Sequence, residues 1–356
     1  MENKVFSTRF SSTSTRILIA FLPRGRYRLQ VMRAPNFWYK EGVLPTLLSP
    51  MSQIWAWRAR RRLTKVKPTK VDIPVICIGN VVAGGAGKTP VALSVMERLH
   101  TSNINAGFLS RGYGGSISAS TKVETSKHSS RDVGDEPLLL ASVAPTWIGN
   151  DRVKSALAAV DTGIGAIVMD DGLQNPALHK DLSILVIDGR YGYGNGRVMP
   201  AGPLREPLEC AMQRVEAIAL IGDVSDPLQA AMPKNIPILM ARFVPATKDD
   251  DISGKPVVAF AGIGQPEKFF ETLAGMGCDL IDIAGFPDHY YYSVDEIMRL
   301  IDTAAMADAL VVTTEKDMVR VPVEARDMIR SLKIRLDWND LGELDEVLGQ
   351  VLKEKV

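Results

Sequence analysis

The sequence predicts an α/β protein, with a parallel-sheet domain followed by a second, smaller α/β domain. Three observations predict it. Short apolar runs alternate with helix-length segments from residue 75 onward, one run leads into a glycine-rich loop ending in Lys88-Thr89, and another ends in Asp170-Asp171. Alternating strand and helix signals imply strands lying side by side in parallel, with the helices as crossovers.

A chain of 356 residues with 46% hydrophobic content is long enough for one large or two ordinary domains with a sizeable core. Lys and Arg number 42 against 41 Asp and Glu, a formal charge of +1, so no global field points to nucleic acid. The three cysteines, Cys77, Cys210 and Cys278, are far apart and lack CxxC spacing, which argues against a disulfide framework or a zinc site and for a reducing, cytoplasmic setting. The longest early apolar run, Ile17 to Leu22, is far short of the roughly 20 residues that span a bilayer. Residues 1–32 carry Arg9, Arg16, Arg24, Arg26 and Arg28, many Ser and Thr, and one acid, Glu2. That composition resembles a transit segment, but an extension outside the folded core is the plainer reading.

Residues 33–70 form the next unit. Leu44, Leu47, Leu48, Met51 and Trp55 fall on one face of a helix, with Phe37, Trp38, Tyr39 and Trp57 around it. Arg58, Arg60, Arg61, Arg62, Lys65, Lys67 and Lys70 follow with no acid among them. An apolar face with Trp anchors beside a basic run suits a helix lying on an anionic bilayer; a helix packed on the core with a solvated basic tail is the alternative. The main domain is expected over 71–237. Its strands are predicted at 75–78, 106–109, 166–169, 184–187 and 217–221, and a helix starts at Thr89, where Pro90 suits the first turn. The texture changes near Pro237, so 238–254 is expected as a strand and polar linker, and 255–356 as the second domain. Within it, strands are expected at 257–261, 280–283 and 309–312, with helices at 266–276 and 293–305.

The loop Gly79-Asn80-Val81-Val82-Ala83-Gly84-Gly85-Ala86-Gly87-Lys88-Thr89 lies between a predicted strand and a predicted helix, the setting of a P-loop. Gly84, Gly85, Ala86 and Gly87 would turn backbone N–H groups onto phosphate oxygens, Lys88 would reach the β- and γ-phosphates of ATP, and Thr89 would ligate Mg²⁺. Val82 departs from the generic pattern, which places glycine there. Ile167 to Met169 then deliver Asp170 and Asp171 at a strand end, a Walker B arrangement in which one carboxylate holds Mg²⁺ directly or through water.

These motifs name a nucleotide site but no acceptor. A set of local signatures resembles the tetraacyldisaccharide 4'-kinase family. They are Arg33 to Tyr39, Gly79-Asn80 with Gly84 to Pro90, Ser110 to Gly114, Val133 to Pro137, Asp170 to Gln174, Ala201 to Glu206, Phe286 to Tyr290 and Thr313 to Asp317. Each is weak alone, but together and in order from residue 33 to the end they are specific. The resemblance implies transfer of the γ-phosphoryl of ATP to the 4'-hydroxyl of an acylated glucosamine disaccharide 1-phosphate, giving lipid IVA, by a peripheral enzyme at the cytoplasmic face of the bacterial inner membrane. It also tips the helix at residues 44–55 toward docking on that anionic surface.

The resemblance further implies roles for single residues. Asp135 matches the family's catalytic aspartate, although on sequence alone a helix N-cap ahead of Glu136-Pro137 is the simpler role. His289 would pair with Asp135 and orient it, which requires the two lobes to meet. Arg205 is expected to grip a phosphate, of ATP or of the substrate, with Arg111 and Gln174 as weaker candidates for the same neighbourhood. Two rivals stay open. A regulatory GTPase would read guanine through a motif near Thr314 to Asp317, where the Lys falls one position late, and a P-loop kinase of a soluble small molecule would not need the Trp-rich helix.

Overall fold

The computed structural model describes residues 34–246 and 251–352. The extension at 1–32 and Arg33 of the first signature lie outside the described residues.

The predicted strands form, three of them one residue longer than expected, β6 three residues longer and β7 with the expected bounds: β1 (Val75–Gly79), β2 (Ala106–Ser110), β5 (Ala166–Asp170), β6 (Leu182–Asp188) and β7 (Ala217–Ile221). Two short strands, β3 (Thr121–Lys122) and β4 (Thr146–Ile148), were not expected. With β8 (Ile238–Pro245) and β13 (Ile334–Trp338) they build a nine-stranded sheet in the order β13-β8-β7-β6-β1-β5-β2-β4-β3. Only the two edge pairings, β13 with β8 and β3 with β4, are antiparallel. The smaller sheet is parallel throughout, in the order β10-β9-β11-β12, from β9 (Pro256–Ala261), β10 (Asp279–Gly285), β11 (Leu310–Thr314) and β12 (Ile329–Leu332).

Burial on both faces explains why β1 reads as a continuous apolar run. Ile76 and Ile78 join a core with Val91, Val95, Met96 and Leu99 of the helix Lys88–Thr101. Cys77 points to the opposite face, packed with Leu173, Leu185 and Leu220. Each fully buried large side chain contributes about 1.5–3 kcal/mol, which is what holds the helix against the sheet.

The domain boundary differs from expectation. Ile238–Pro245, expected in a linker, is hydrogen-bonded in the large sheet, parallel to β7. The end of the chain also leaves the small sheet. Strand β13 pairs with β8, and the helix Leu341–Leu352 places Leu344, Val347 and Leu348 in the large core beside the helix Lys88–Thr101. Arg98 ties the two helices by a bidentate pair to Asp345 at 2.9 and 2.5 Å, and Trp338 Nε1 donates to Ser94 Oγ at 2.8 Å. Sequence proximity suggested one uninterrupted second domain; burial of an apolar helix face decided otherwise.

The helix Val43–Lys65 is longer than expected and takes the basic run into itself. On a 3.6-residue turn, Pro45, Leu48, Ser52, Ala56, Ala59 and Leu63 share the face toward the protein, and each is buried or half-buried. Leu48, expected on the outward face, belongs to this set. The opposite face carries Val43, Leu47, Met51, Ile54 and Trp57, with exposures of 56–77%, and then Arg58, Arg61 and Lys65. Ser52 Oγ accepts from Ala201 N at 3.1 Å and Trp55 Nε1 donates to Arg205 O at 3.1 Å, so polar contacts seat the helix on the Ala201-to-Glu206 segment.

Leu344→Ala tests this domain assignment. A cavity in the large core should cost about 2–5 kcal/mol and lower nucleotide affinity along with the urea midpoint. Unchanged stability would return the last helix to the small domain.

Candidate active site

Parallel pairing sets the site. Strand β1 lies beside β5 with Ile78 opposite Asp170, so the glycine-rich loop after β1 and the carboxylates ending β5 emerge side by side at the carboxyl edge of the sheet. Gly79, closing β1, has no alternative there, because a Cβ would stand 2.5 Å from Leu173 Cβ. Gly87 caps the following helix in a left-handed conformation, φ 91°, and an added Cβ would stand 2.9 Å from Phe243 Cζ. The helix N-terminus therefore presents its N–H groups to the cleft unobstructed.

Val82 is accounted for by the same loop. It forms an antiparallel bridge with Leu204, while Asn80 Nδ2 donates to Val82 O at 2.9 Å, so this position takes a bridging backbone that does not require glycine. Ala83 N donates to Pro203 O at 2.8 Å, which joins the loop to the Ala201-to-Glu206 segment.

Thr89 Oγ1 donates to Asp170 Oδ2 at 3.0 Å. Asp170 is buried, its Oδ1 has no hydrogen-bond partner, and desolvation followed by the nearby Glu136 charge pushes its carboxyl up to about 7, against the opposing pull of Lys88. A buried carboxylate with an unused oxygen beside a threonine hydroxyl fits a hard divalent cation such as Mg²⁺, whose remaining ligands are phosphate and water. Among the described residues no cluster of three or more His, Cys, Asp and Glu offers a cage of its own.

Asp171 is engaged differently. Arg205 Nη1 lies 2.9 and 3.2 Å from its two oxygens and Lys88 Nζ 3.8 Å away. Burial alone would raise its pKa, but those two cations hold the carboxyl below the usual range. Its backbone is left-handed at φ 52°, a sparsely populated conformation for a residue with a side chain. Gln174 works as a splint, its Nε2 donating to Asn80 O at 2.8 Å and Glu206 Oε1 at 3.1 Å while its Oε1 accepts from Arg205 at 3.4 Å. Arg111 lines the same cleft, and its guanidinium makes no hydrogen bond or ion pair with another described residue.

Asp135 is the first residue of the helix Asp135–Ala141, with Gly134 at the cap position, and its side chain makes no capping bond. The simpler reading as an N-cap is therefore incorrect. The carboxylate is 2% exposed and faces the small domain, where His289 Nδ1 donates to Oδ2 at 2.8 Å and Arg320 Nε stands 3.3 Å from the same oxygen. Burial pushes its pKa up, and the His289 hydrogen bond with the Arg320 charge more than offsets this, leaving the carboxyl below its ordinary value. His289 also has a left-handed backbone, φ 61°, stacks edge-on with Tyr113 at 5.7 Å, and lines the cleft with Lys88 and Asp170.

Three polar residues were missed in the sequence. Arg152 is buried behind the cleft with an unpartnered Nε, and desolvation together with neighbouring Arg111 lowers it to about 10. It follows strand β4, which was itself unread. Lys316 bridges Glu136 Oε1 at 2.9 Å and Asp288 Oδ1 at 3.4 Å, and Arg320 reaches Asp135; both lie in or just beyond the Thr313-to-Asp317 signature. Asp317 is fully buried, accepting from Gly262 N at 3.0 Å and Tyr292 OH at 2.7 Å. A carboxylate so enclosed is not positioned to read guanine, which removes the basis of the GTPase rival.

A phosphate cradle, a cation-ready carboxylate and a carboxylate–imidazole pair meeting across one cleft define an ATP-dependent phosphotransferase of the P-loop class. Residues 44–353 match the sequence model of the tetraacyldisaccharide-1-P 4'-kinase family. The tetraacyldisaccharide 4'-kinase of Rhodospirillum centenum is 46% identical over 330 residues, 91% of this chain and 98% of that one; the enzyme of Rhodospirillum rubrum is 45% identical over 90% and 98%. The chain belongs to the tetraacyldisaccharide-1-P 4'-kinase family. The crystal structure of LpxK from Aquifex aeolicus in complex with ATP has the same fold, with a TM-score of 0.71 at 24% identity over 87% of this chain and 100% of that one.

Asp170→Asn should separate stability from activity. A folded pKa raised from 3.8 to about 7 means the ligand-free fold is penalised as pH rises through that window and is unpenalised below about 4. The variant should melt higher than the parent at pH 7–8, by the equivalent of a few kcal/mol at most, with the advantage vanishing toward pH 4, while phosphotransfer is lost. A lower Tm at pH 8 would contradict the desolvation account.

Proposed function

We propose that this kinase transfers the γ-phosphoryl group of ATP to the 4'-hydroxyl of a tetraacylated glucosamine disaccharide 1-phosphate, forming lipid IVA, with Asp135 as the general base. The reading rests on one observation, the 2.8 Å hydrogen bond that joins Asp135 of the large domain to His289 of the small one at the cleft lined by Lys88 and Thr89. A sugar hydroxyl is a poor nucleophile at neutral pH, and in-line attack benefits from a fixed carboxylate that accepts its proton. Asp135 Oδ2 is occupied by His289 and Arg320, and no hydrogen bond reaches Oδ1 among the described residues. Oδ1 is the oxygen that takes the proton.

Gly84, Gly85, Ala86, Gly87, Lys88 and Thr89 bind the triphosphate, and Asp170 with Thr89 would hold Mg²⁺. The ion, when bound, neutralises charge on the β- and γ-phosphates. Asp171 restrains Lys88 and Arg205 until the nucleotide supplies stronger anionic partners. Arg111 and Arg205 are the candidates for the phosphate groups of nucleotide or acceptor, and Gln174 keeps Arg205 in line.

The acceptor's acyl chains require contact with a bilayer. The outward face of the helix Val43–Lys65 serves that contact, apolar over its first half and cationic over its second, at the cytoplasmic leaflet of the inner membrane. No helix among the described residues is long and apolar enough to cross a membrane.

With labelled ATP and tetraacyldisaccharide 1-phosphate, Lys88→Ala should abolish transfer without loss of fold. Asp135→Asn should lower kcat by about 10²–10⁴ with little change in the KM for ATP. Near-wild-type turnover in the second variant would end the role of Asp135 as base.

Replacing Leu47, Met51 and Ile54 by Ser should abolish flotation with liposomes while leaving Tm within a few degrees, because all three are solvent-exposed. A collapse in Tm without a specific loss of vesicle binding would instead mean that this face is packed.

A further inference from the structure

The Thr313-to-Asp317 signature is a sequence motif that the catalytic reading leaves without a task. Its side chains turn inward. Thr314 Oγ1 donates to Asp317 Oδ2 at 2.6 Å, and Asp317 Oδ1 collects Gly262 N, Tyr292 OH and the Arg320 guanidinium. Arg320 is locked at its far end, with Nη2 also donating to Gly262 O at 2.9 Å and Nη1 to Tyr290 O at 3.2 Å. Its Nε, buried and without a hydrogen bond, projects 3.3 Å from Asp135 Oδ2 on the other domain.

We propose that Arg320 is a positioning residue for the transfer reaction, a fixed cation on the small domain that holds Asp135 in direction and in its basic form when the two domains meet. The inference rests on the reading of Asp135 as the base. A carboxylate at 2% exposure pays heavily for its charge unless a cation is in contact. His289 supplies a directed hydrogen bond but a permanent charge only when protonated, whereas a guanidinium is charged at every working pH. Because Nε is near Asp135 without hydrogen-bond alignment, Arg320 lends field more than a second strong hydrogen bond, so the carboxylate stays ionised in exchange for a somewhat weaker affinity for the proton.

The other charges around Asp135 do not substitute for it. Lys316, from the helix Glu315–Met318, is spent on Glu136 and Asp288. Asp317 and Tyr292 lie behind Arg320 and present an acid and a hydroxyl, and Glu136 on the aspartate's own helix is a like charge. Asp317 thus acts at one remove, by aiming the guanidinium.

The test is the pH profile of kcat from about pH 4 to 9 for the parent, Arg320→Gln, Arg320→Lys and Asp135→Asn, with the KM for ATP and a melting curve for each. For Arg320→Gln we expect an acid limb displaced upward by about one unit, a kcat deficit that approaches tenfold at the acid end of the range and narrows toward neutral pH, and an ATP KM within about threefold of the parent. Arg320→Lys should return the limb to its parent position with a lower plateau. A folded Arg320→Gln with the parent's limb, or with the same deficit at every pH, overturns the proposal. Should Arg320→Gln fail to fold, Arg320→Lys decides: an unmoved limb with kcat reduced at least threefold supports positioning, and a parent-like kcat overturns it. Full activity in Asp135→Asn would instead remove the base itself, an outcome separable from the behaviour of the Arg320 variants.

Discussion

Parallel pairing of β1 with β5 is the constraint on which the rest of the molecule depends. Opposing Ile78 to Asp170 in that ladder places the end of one strand beside the end of the other, and the loop, its helix and the carboxylates follow from it. Two buried faces on β1 keep the register from slipping, because a one-residue shift would exchange Cys77 for Ile76 or Ile78 between differently shaped cores. The ligand site is in this sense a by-product of core packing.

Charge in the cleft is arranged by domain. The large domain contributes the cleft-lining cations Lys88, Arg111, Arg152 and Arg205, with Asp170 and Asp171 among them. The small domain contributes His289, Lys316 and Arg320, all aimed at the neighbouring acids Asp135 and Glu136. Where the domains join, the acids of one face cations of the other, so opposite charges meet across the cleft.

The central strands, the loop and the paired aspartates were legible because each depends on local information: an apolar run, glycine spacing, a strand end. Asp135 and His289 lie 154 positions apart and met only through tertiary structure; their pairing came from family resemblance, not from any pattern of spacing. Lys316 and Arg320 were illegible for the same reason, since a charged residue on a short helix or in the turn after it looks like any solvated one. Strand β13 and the last helix were missed because their partners are β8 and the helix Lys88–Thr101, far back along the chain. The inward set Pro45, Ser52, Ala56 and Ala59 escaped notice because small residues give weak periodic signals, although they let the N-terminal helix approach its seat.

The return of β13 and the helix Leu341–Leu352 to the large sheet has a consequence for synthesis on the ribosome. Residues 256–332, which contain the small sheet, emerge as one uninterrupted stretch and can close their core while the chain is still attached. The large domain cannot complete its core so early, because Leu336, Trp338, Leu344, Val347 and Leu348 of that core are encoded last. Until Leu352 clears the exit tunnel, the helix that binds nucleotide phosphate has an exposed apolar flank, and the order of assembly runs from the inserted domain to the one that begins first.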